Sequence, residues 1–367
     1  MKKNSKDFSW MDLAIFEAKK SLKTSPNPRV GSLLVKANQL LAKGYHQGPG
    51  KAHAEVEVLR QAKEAKGATL FVTLEPCCHE DKRTPPCVPQ IIKAGIRRVV
   101  VGSRDPNPQV RGKGIAALRR AGIEVIEGVL KEECEALNPF YYYSMKQGLP
   151  YVILKMASSL DGKIALANGR SKWITSTQAR QHVHQLRSQM DGIVLGVGTV
   201  LKDNPLLNVR GVPVSHQPKR IILDPHLKIG LRARVLGSLK HQETWIVCLA
   251  SSLKKPKAGL LKKKGVFLLP CPVLGNGFFS LKALLKLLAK QGVQSLMVEG
   301  GPCTWTEFIR QKTYEEIWHY VAPKFLGGES RSLLGALGLK TLPKQSPLKL
   351  IASEKLGEDF YLRYKSL

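Results

Sequence analysis

TLEPCCHEDKRTPPC runs from Thr73 to Cys87. Its opening residues complete an apolar run, ATLFVTLEP, that reads as a β-strand, and its closing residues begin a helical run, PCVPQIIKAG. The spacing therefore places three cysteines and a histidine between a strand end and a helix start. Prolines favour the first turn of a helix, so Cys87 opens the helix, where the positive helix end favours a thiolate. Upstream, AHAEVEVL carries His53 and Glu55 at the start of another helical run, HAEVEVLRQAKEA, whose Ala54, Val58 and Ala62 form one stripe.

Read together, these residues spell H-x-E, then P-C, then C. Imidazole and thiolate suit zinc, which takes about four ligands. Three protein ligands leave the fourth position to water, whose pKa the ion lowers. A carboxylate that is not a ligand can then carry protons between that water and a leaving amine, which is the logic of zinc deaminases. The H-x-E spacing raises one geometric demand. Residues two apart lie about 200° apart around a regular helix, so His53 and Glu55 serve one metal only at the first turn, beneath the loop.

Strand and helix alternate on both sides of this loop. Met11, Ala14, Ile15, Ala18 and Leu22 recur at helical spacing. VGSLLV and LAKGYH read as strands, IRRVVVGS as a strand, GKGIAALRRAG as a helix and EVIEGV as a strand. LKEECEALNPFYYYSMKQG reads as one closing helix. Gly148 and Pro150 mark a junction, dividing the chain into 1–148 and 149–367. The second part repeats the alternation: YVILKMASS, the helix STQARQHVHQLRSQM, the strand-like DGIVLGVGTV, then the strands RIILDP, TWIVCLA, SLMVEGG and EIWHYVAP, with LKALLKLLAKQG a Gly-capped helix. The fold class is α/β, in layers, in both parts.

With 367 residues the chain is long enough for two domains. Its charge is strongly positive, 58 Lys and Arg against 28 Asp and Glu, net +30, which attracts polyanions and phosphorylated small molecules alike. The seven cysteines are scattered and resemble no disulfide framework. The basic N-terminal stretch is interrupted by Asp12 and Glu17 and lacks a small-residue cleavage site, so it is not a signal peptide. No run approaches the roughly 18 apolar residues of a membrane span. The expected location is cytoplasmic.

SPNPRVG, HAEVEVL, TLEPCCH, RTPPC and DPNPQVRGKG resemble the deaminase half of the bifunctional riboflavin-biosynthesis deaminase-reductases, over about the first 145 residues. The resemblance implies a cytidine deaminase-like three-layer domain, in which His53, Cys77 and Cys87 hold Zn2+ and Glu55 is the catalytic proton shuttle. It assigns Asn27, His79, Arg83, Asp105 and Asn107 to the substrate. The loop departs from the family pattern: nine residues separate Cys77 from Cys87, where eight are usual. Cys78 would restore the count, but the Pro-Cys-x-His pattern favours Cys77, with the extra residue bulging in the loop.

In the second part GVGT is a lone G-x-G, and a Rossmann fingerprint is not supported. VEGGP follows a strand, and glycines there leave backbone N–H groups free to meet a phosphate. KMASSLDGKIA, SKWITS, LRSQMDGIVLGVGTVLKDNPLLNVR, VEGGP and APKFLGG resemble the reductase half of the same family, similar to the dihydrofolate reductase fold. The resemblance implies NADPH contacts at Ser158, Trp173, Thr199, Asp203 and Gly301, and substrate contacts at Ser171, Arg187, Leu207, Arg210 and Glu299. Arg187 and Arg210 suit a phosphate, which a guanidinium grips with a two-pronged fork.

The implied function is hydrolytic deamination of 2,5-diamino-6-ribosylamino-4(3H)-pyrimidinone 5′-phosphate, then NADPH reduction of the ribosyl group to ribityl. The implied partner is this phosphorylated pyrimidine, with no nucleic acid and no membrane, in a homo-oligomer. Two rivals compete. A nucleic-acid deaminase shares the zinc chemistry and suits the charge, but those sites usually carry C-x-x-C, and it leaves the second part unexplained. A reductase with a non-catalytic zinc domain would keep the ligands without the chemistry.

Overall fold

The alternation of strand and helix builds two α/β units, Met1–Gly148 and Leu149–Leu367, in a computed structural model that describes residues 5–22, 24–79, 84–237, 239–343 and 345–367. In the first unit α1 (Ser5–Lys19) precedes a hairpin of β1 (Gly31–Lys36) and β2 (Gln39–Tyr45). There follow α2 (Ala54–Gln61), β3 (Thr69–Leu74), α3 (Cys87–Lys93), β4 (Arg98–Ser103), α4 (Lys113–Arg120), β5 (Glu124–Glu127), α5 (Lys131–Ala136) and α6 (Pro139–Gln147).

The sheet order is β2-β1-β3-β4-β5, antiparallel around β1 and parallel from β3 to β5. Alternate strand residues feed two cores. On one face Met11, Ala14, Ile15 and Ala18 of α1 pack on Leu33, Phe71 and Val100. On the other, Val58, Ile91, Ile115 and Leu118 of α2, α3 and α4 pack on Leu34, Leu70, Val72, Val99 and Val101. Each of the Val, Leu, Ile, Phe and Met side chains contributes about 1.5–3 kcal/mol on burial, so the three layers are held from both sides. The segments leaving the carboxyl ends of β3 and β4 emerge at one edge, where open α/β sheets place their ligands.

The second unit comprises β6 (Tyr151–Ser159), β7 (Lys163–Ala165), α7 (Thr177–Ser188), β8 (Gly192–Gly196), α8 (Val197–Asp203), β9 (Lys219–Leu223), β10 (Thr244–Cys248), α9 (Pro256–Lys263), β11 (Phe267–Pro270), α10 (Leu281–Lys290), β12 (Ser295–Val298), α11 (Pro302–Arg310), β13 (Glu316–Ala322), β14 (Arg331–Ser332), β15 (Leu348–Leu356) and β16 (Asp359–Ser366). Its large sheet runs β11-β10-β9-β8-β12-β6-β13-β16-β15. The strands are parallel from β11 through β13, and the β15–β16 hairpin closes the order antiparallel. Helices α10 and α11 cover one face through Leu284, Leu288, Trp305 and Phe308. Val200, Ala258 and Leu261 of α8 and α9 cover the other. Among the described residues, no helix is long and apolar enough to cross a membrane.

Three readings change. The closing helix is two helices, α5 and α6, separated at Leu137 and Asn138. Pro139 has no N–H to continue the first helix, and the residue before a proline is pushed out of helical geometry; Asn138 sits at φ −135°, ψ 49°. DGIVLGVGTV is a strand only to Gly196, after which α8 begins. Leu22 lies beyond the end of α1 and is exposed, so the apolar stripe ends at Ala18.

Candidate active sites

In the first unit, His53 is the residue that caps α2 rather than a member of it. Its backbone is extended (φ −71°, ψ 157°), so the angular argument against the H-x-E pair does not apply. Glu55 lies in the first turn, 3% exposed. Cys77 follows β3, and its carbonyl accepts the N–H groups of Cys87 and Val88 at 3.1 and 3.2 Å, seating it at the start of α3. Cys87 opens that helix behind Pro86.

The three donors converge. His53 Nδ1 is 3.5 Å from Cys77 Sγ and 3.3 Å from Cys87 Sγ, and the sulfurs are 3.4 Å apart. A tetrahedral zinc with bonds of about 2.3 Å to sulfur and about 2.0–2.1 Å to nitrogen needs ligand atoms roughly 3.5–3.8 Å apart. The donor set fits the ion with shifts of a few tenths of an ångström. Cys78 is not part of the cluster. The Thr84 hydroxyl stands 3.2 Å from His53 Nε2, the outer partner that fixes a ligating imidazole. Burial raises the Glu55 carboxyl, and the neighbouring Cys77 adds to the rise, which suits a group that must both take and give a proton.

Asn27 is linked to the cluster through His46, and Asp105 follows β4 beside Glu75 at the end of β3. Asn27 Nδ2 donates to His46 Nε2 at 3.0 Å, while His46 Nδ1 donates to the Ala52 carbonyl at 2.9 Å. The His46 and His53 rings meet edge to face, 5.2 Å between centroids. His46 is a residue the sequence reading missed, and nothing in GYH marks it. Asp105, 6% exposed, accepts from the Asn107 N–H at 2.8 Å and the Tyr141 hydroxyl at 2.9 Å. Its carboxyl is raised to about 6, chiefly by burial.

Glu75 was also missed. Its carboxylate accepts the N–H groups of Asp105, Gly112 and Ile115, at 3.3, 3.0 and 3.2 Å. It thereby ties DPNPQVRGKG to the end of β3. The fit is close enough to demand glycine at 114, where a Cβ would stand 2.1 Å from the Pro76 carbonyl oxygen. His79 Nδ1 is buried without a hydrogen-bond partner among the described residues. Arg83 lies outside the described residues.

The second unit encloses a cavity of about 960 Å³. Ser171, Trp173, Thr199 and Asp203 line it, as do Arg187, Arg210, Glu299 and Gly301. Gly301 caps α11, with Pro302 at its first position, and both line the cavity, so the positive end of the helix stands at the cavity wall, an arrangement suited to a diphosphate. Trp173 is 65% exposed, with the Arg180 guanidinium 4.2 Å above its ring. Two candidates stand apart. Ser158 is fully buried and bonded to His319 at 2.8 Å, and Leu207 is buried with its carbonyl bonded to Gln242; neither side chain lines the cavity.

The Arg187 fork is already occupied. Nε and Nη2 donate to the two Glu299 oxygens at 2.5 and 2.6 Å, and Nη1 donates to the Asn208 carbonyl at 3.2 Å. The pairing holds Glu299 in place, since a lone buried carboxylate there would cost several kcal/mol. Burial alone would raise Glu299, but the Arg187 charge and hydrogen bonds outweigh it and hold the carboxylate below its usual range. Arg210 is exposed, and its Nη1 donates to Asn208 Oδ1 at 2.7 Å.

Lys155 was missed as well. It lines the cavity from β6, and burial pulls its ammonium down although Glu299 opposes this. The signal was a lone lysine inside the apolar run YVILKMASS.

A thiol-imidazole cluster beside a buried glutamate, on a deaminase-type sheet, and a cavity reaching a glycine-capped helix define a class: a zinc deaminase domain joined to a reductase domain. Residues 4–103 match the model of the cytidine and deoxycytidylate deaminase zinc-binding region, and residues 150–362 match that of the RibD C-terminal domain. The chain is 45% identical to the riboflavin biosynthesis protein RibD of Aquifex aeolicus over 361 residues, 98% of each chain. Among solved structures, a RibD of Acinetobacter baumannii superposes with a TM-score of 0.89 at 38% identity, covering 98% of this chain and 99% of that one. A Thermotoga maritima protein, named a diaminohydroxyphosphoribosylaminopyrimidine deaminase/5-amino-6-(5-phosphoribosylamino)uracil reductase, does so with 0.85 at 34% identity, covering the same shares. The chain belongs to the RibD family of bifunctional riboflavin-biosynthesis enzymes.

Proposed function

We propose that the first unit hydrolytically deaminates 2,5-diamino-6-ribosylamino-4(3H)-pyrimidinone 5′-phosphate, and that the second reduces the ribosyl C1′ of the product to give the ribityl chain. The observation that carries this reading is the convergence of His53, Cys77 and Cys87 within 3.5 Å of one another, next to a buried Glu55. His53 Nδ1 and the two thiolates would hold zinc, with Cys77 rather than Cys78 as the second ligand. Zinc supplies a water that is acidic near neutral pH. Glu55 would take up the proton that the water gives up as its oxygen bonds to the ring carbon, and would pass a proton to the amine nitrogen as the C–N bond breaks and ammonia leaves. Asn27, held by His46, and Asp105, held by Tyr141, orient the pyrimidine through their remaining polar atoms.

In the second unit NADPH supplies the hydride. The start of α11 at Gly301 receives the cofactor diphosphate, and Thr199 and Asp203 line its path. Arg210 meets the substrate phosphate, while Arg187 keeps Glu299 ionised and aimed as an acceptor for substrate N–H or O–H groups. Such a phosphorylated substrate fits the excess of positive charge in the cavity wall without any nucleic acid.

The test is ammonia release from the diamino substrate without NADPH, with bound zinc measured alongside. Glu55→Ala should lose release by at least about a hundredfold while keeping its zinc. Equal release from the variant, or none from the zinc-loaded parent, would sink the deaminase assignment.

A further inference from the structure

Residues 206–210 form a strap whose last residue, Arg210, lines the cavity. Gln242 Nε2 holds the Leu207 carbonyl at 2.8 Å, and Gln217 holds both backbone groups of Val209, at 2.7 and 3.2 Å. The free end of the strap, Arg210, is fixed from α7. His184 Nδ1 accepts the Arg210 backbone N–H at 3.2 Å, and Arg187, one turn further along the helix, donates to the Asn208 carbonyl. An imidazole nitrogen that accepts from a backbone N–H carries no proton. His184 is therefore neutral, with Nε2–H as its donor, in the wall of the cavity. Burial, then the charges of Arg187 and Arg210, push it down to about 4, with Lys155 acting in the same sense and Glu299 opposing them. A histidine among cations is thus kept as a hydrogen-bonding group rather than a further positive charge.

We propose that His184 is a positioning residue for phosphate recognition in the reductase site, setting the Arg210 strap through Nδ1 so that the Arg210 guanidinium meets the substrate phosphate. The inference rests on the reading of Arg210 as the phosphate contact. It separates the two arginines of α7 and the strap by role: Arg187 serves Glu299, Arg210 serves the phosphate, and His184 couples the second to the first through one helix face.

The experiment is steady-state reduction by the full-length chain, using the deaminated substrate with and without its 5′-phosphate. Losing the strap contact in His184→Leu should raise KM for the phosphorylated substrate about tenfold. Turnover and the KM for NADPH should stay within about threefold, and kinetics with the dephosphorylated substrate should not change. His184→Asn places an amide oxygen where Nδ1 stood and should restore KM to within about threefold. A rise that is equal for both substrates, or absent, overturns the proposal. Arg210→Ala separates the two readings. If it too fails to discriminate between the substrates, the phosphate contact itself is misassigned. If it discriminates and His184→Leu does not, only the role of His184 falls.

Discussion

Replacing Asp105 with asparagine should stabilise the first unit while impairing it. Burial raises the Asp105 carboxyl from 3.8 to about 6; the Asn107 N–H and the Tyr141 hydroxyl oppose this, and Glu75 and Cys77 add to it. The folded state thus binds this proton more tightly than the unfolded chain, so stability is lost as pH rises through the window from 3.8 to about 6. At about 1.4 kcal/mol per pKa unit, the ionised carboxylate costs about 3 kcal/mol at pH 7, about 1.5 at pH 5 and about 0.5 at pH 4. Asparagine keeps the acceptor that meets Asn107 and Tyr141 but carries no charge, so the variant should recover that cost. Hydrogen exchange in the full-length chain, followed on peptides spanning β3 and β4, reads the opening of this unit alone. Protection should exceed the parent's at pH 7, with a gain that shrinks toward pH 4. No gain at pH 7, or a gain independent of pH, refutes burial of the charge as the origin. Ammonia release should fall at least about tenfold, since a desolvated carboxylate offers substrate a strong acceptor that an amide does not.

Other perturbations separate the remaining assignments. Cys77→Ser and Cys87→Ser should each strip zinc on dialysis, while Cys78→Ser retains it, as read by elemental analysis; Thr84→Val should weaken zinc about 10–100-fold by freeing the His53 ring. Arg187→Met leaves Glu299 buried without its partner and should destabilise the second unit by about 3–5 kcal/mol, with reduction lost and ammonia release retained. Adding Glu299→Gln should return part of that stability but not the reduction. Gly114→Ala drives a Cβ against the Pro76 carbonyl oxygen and should cost about 1–3 kcal/mol, with deamination lost and NADPH-dependent reduction intact.

Local features were the legible ones. The metal donors could be read because a ligand set needs particular residue types at helix starts and strand ends, and P-C and H-x-E mark both. The condition stated for His53 and Glu55 was a place at the first turn; Glu55 lies there, and His53 stands just before it as the capping residue. Strand order, by contrast, depends on which crossovers pack, and nothing in RIILDP or SLMVEGG says that β8 lies between β9 and β12. The break between α5 and α6 was written in Asn138-Pro139 and was overridden by the length of the apolar pattern. Glu75 and His46 act by holding other residues in place. Their partners, at 112–115 and 27, are brought near only by the sheet, so no spacing announces them.

Arg187 shows why the type of a residue is not enough to assign it. A guanidinium in a phosphate-binding enzyme invites the phosphate, and on sequence the two arginines were equivalent. What distinguishes them is burial. Arg187 and Glu299 are 15% and 8% exposed at the side chain, and a charge removed from water to that degree is retained only with a partner. Arg210, on an exposed strap, owes no such debt, and its guanidinium can spend its donors on a ligand. The sheet imposes this difference: Glu299 leaves the end of β12 at the centre of the order, beneath α7, whereas the strap follows α8 out to the rim. Inside a charged cavity, then, depth sorts the arginines: the inner one holds the site's own carboxylate, and the outer one keeps donors for a ligand, which is what the phosphate role proposed for Arg210 requires.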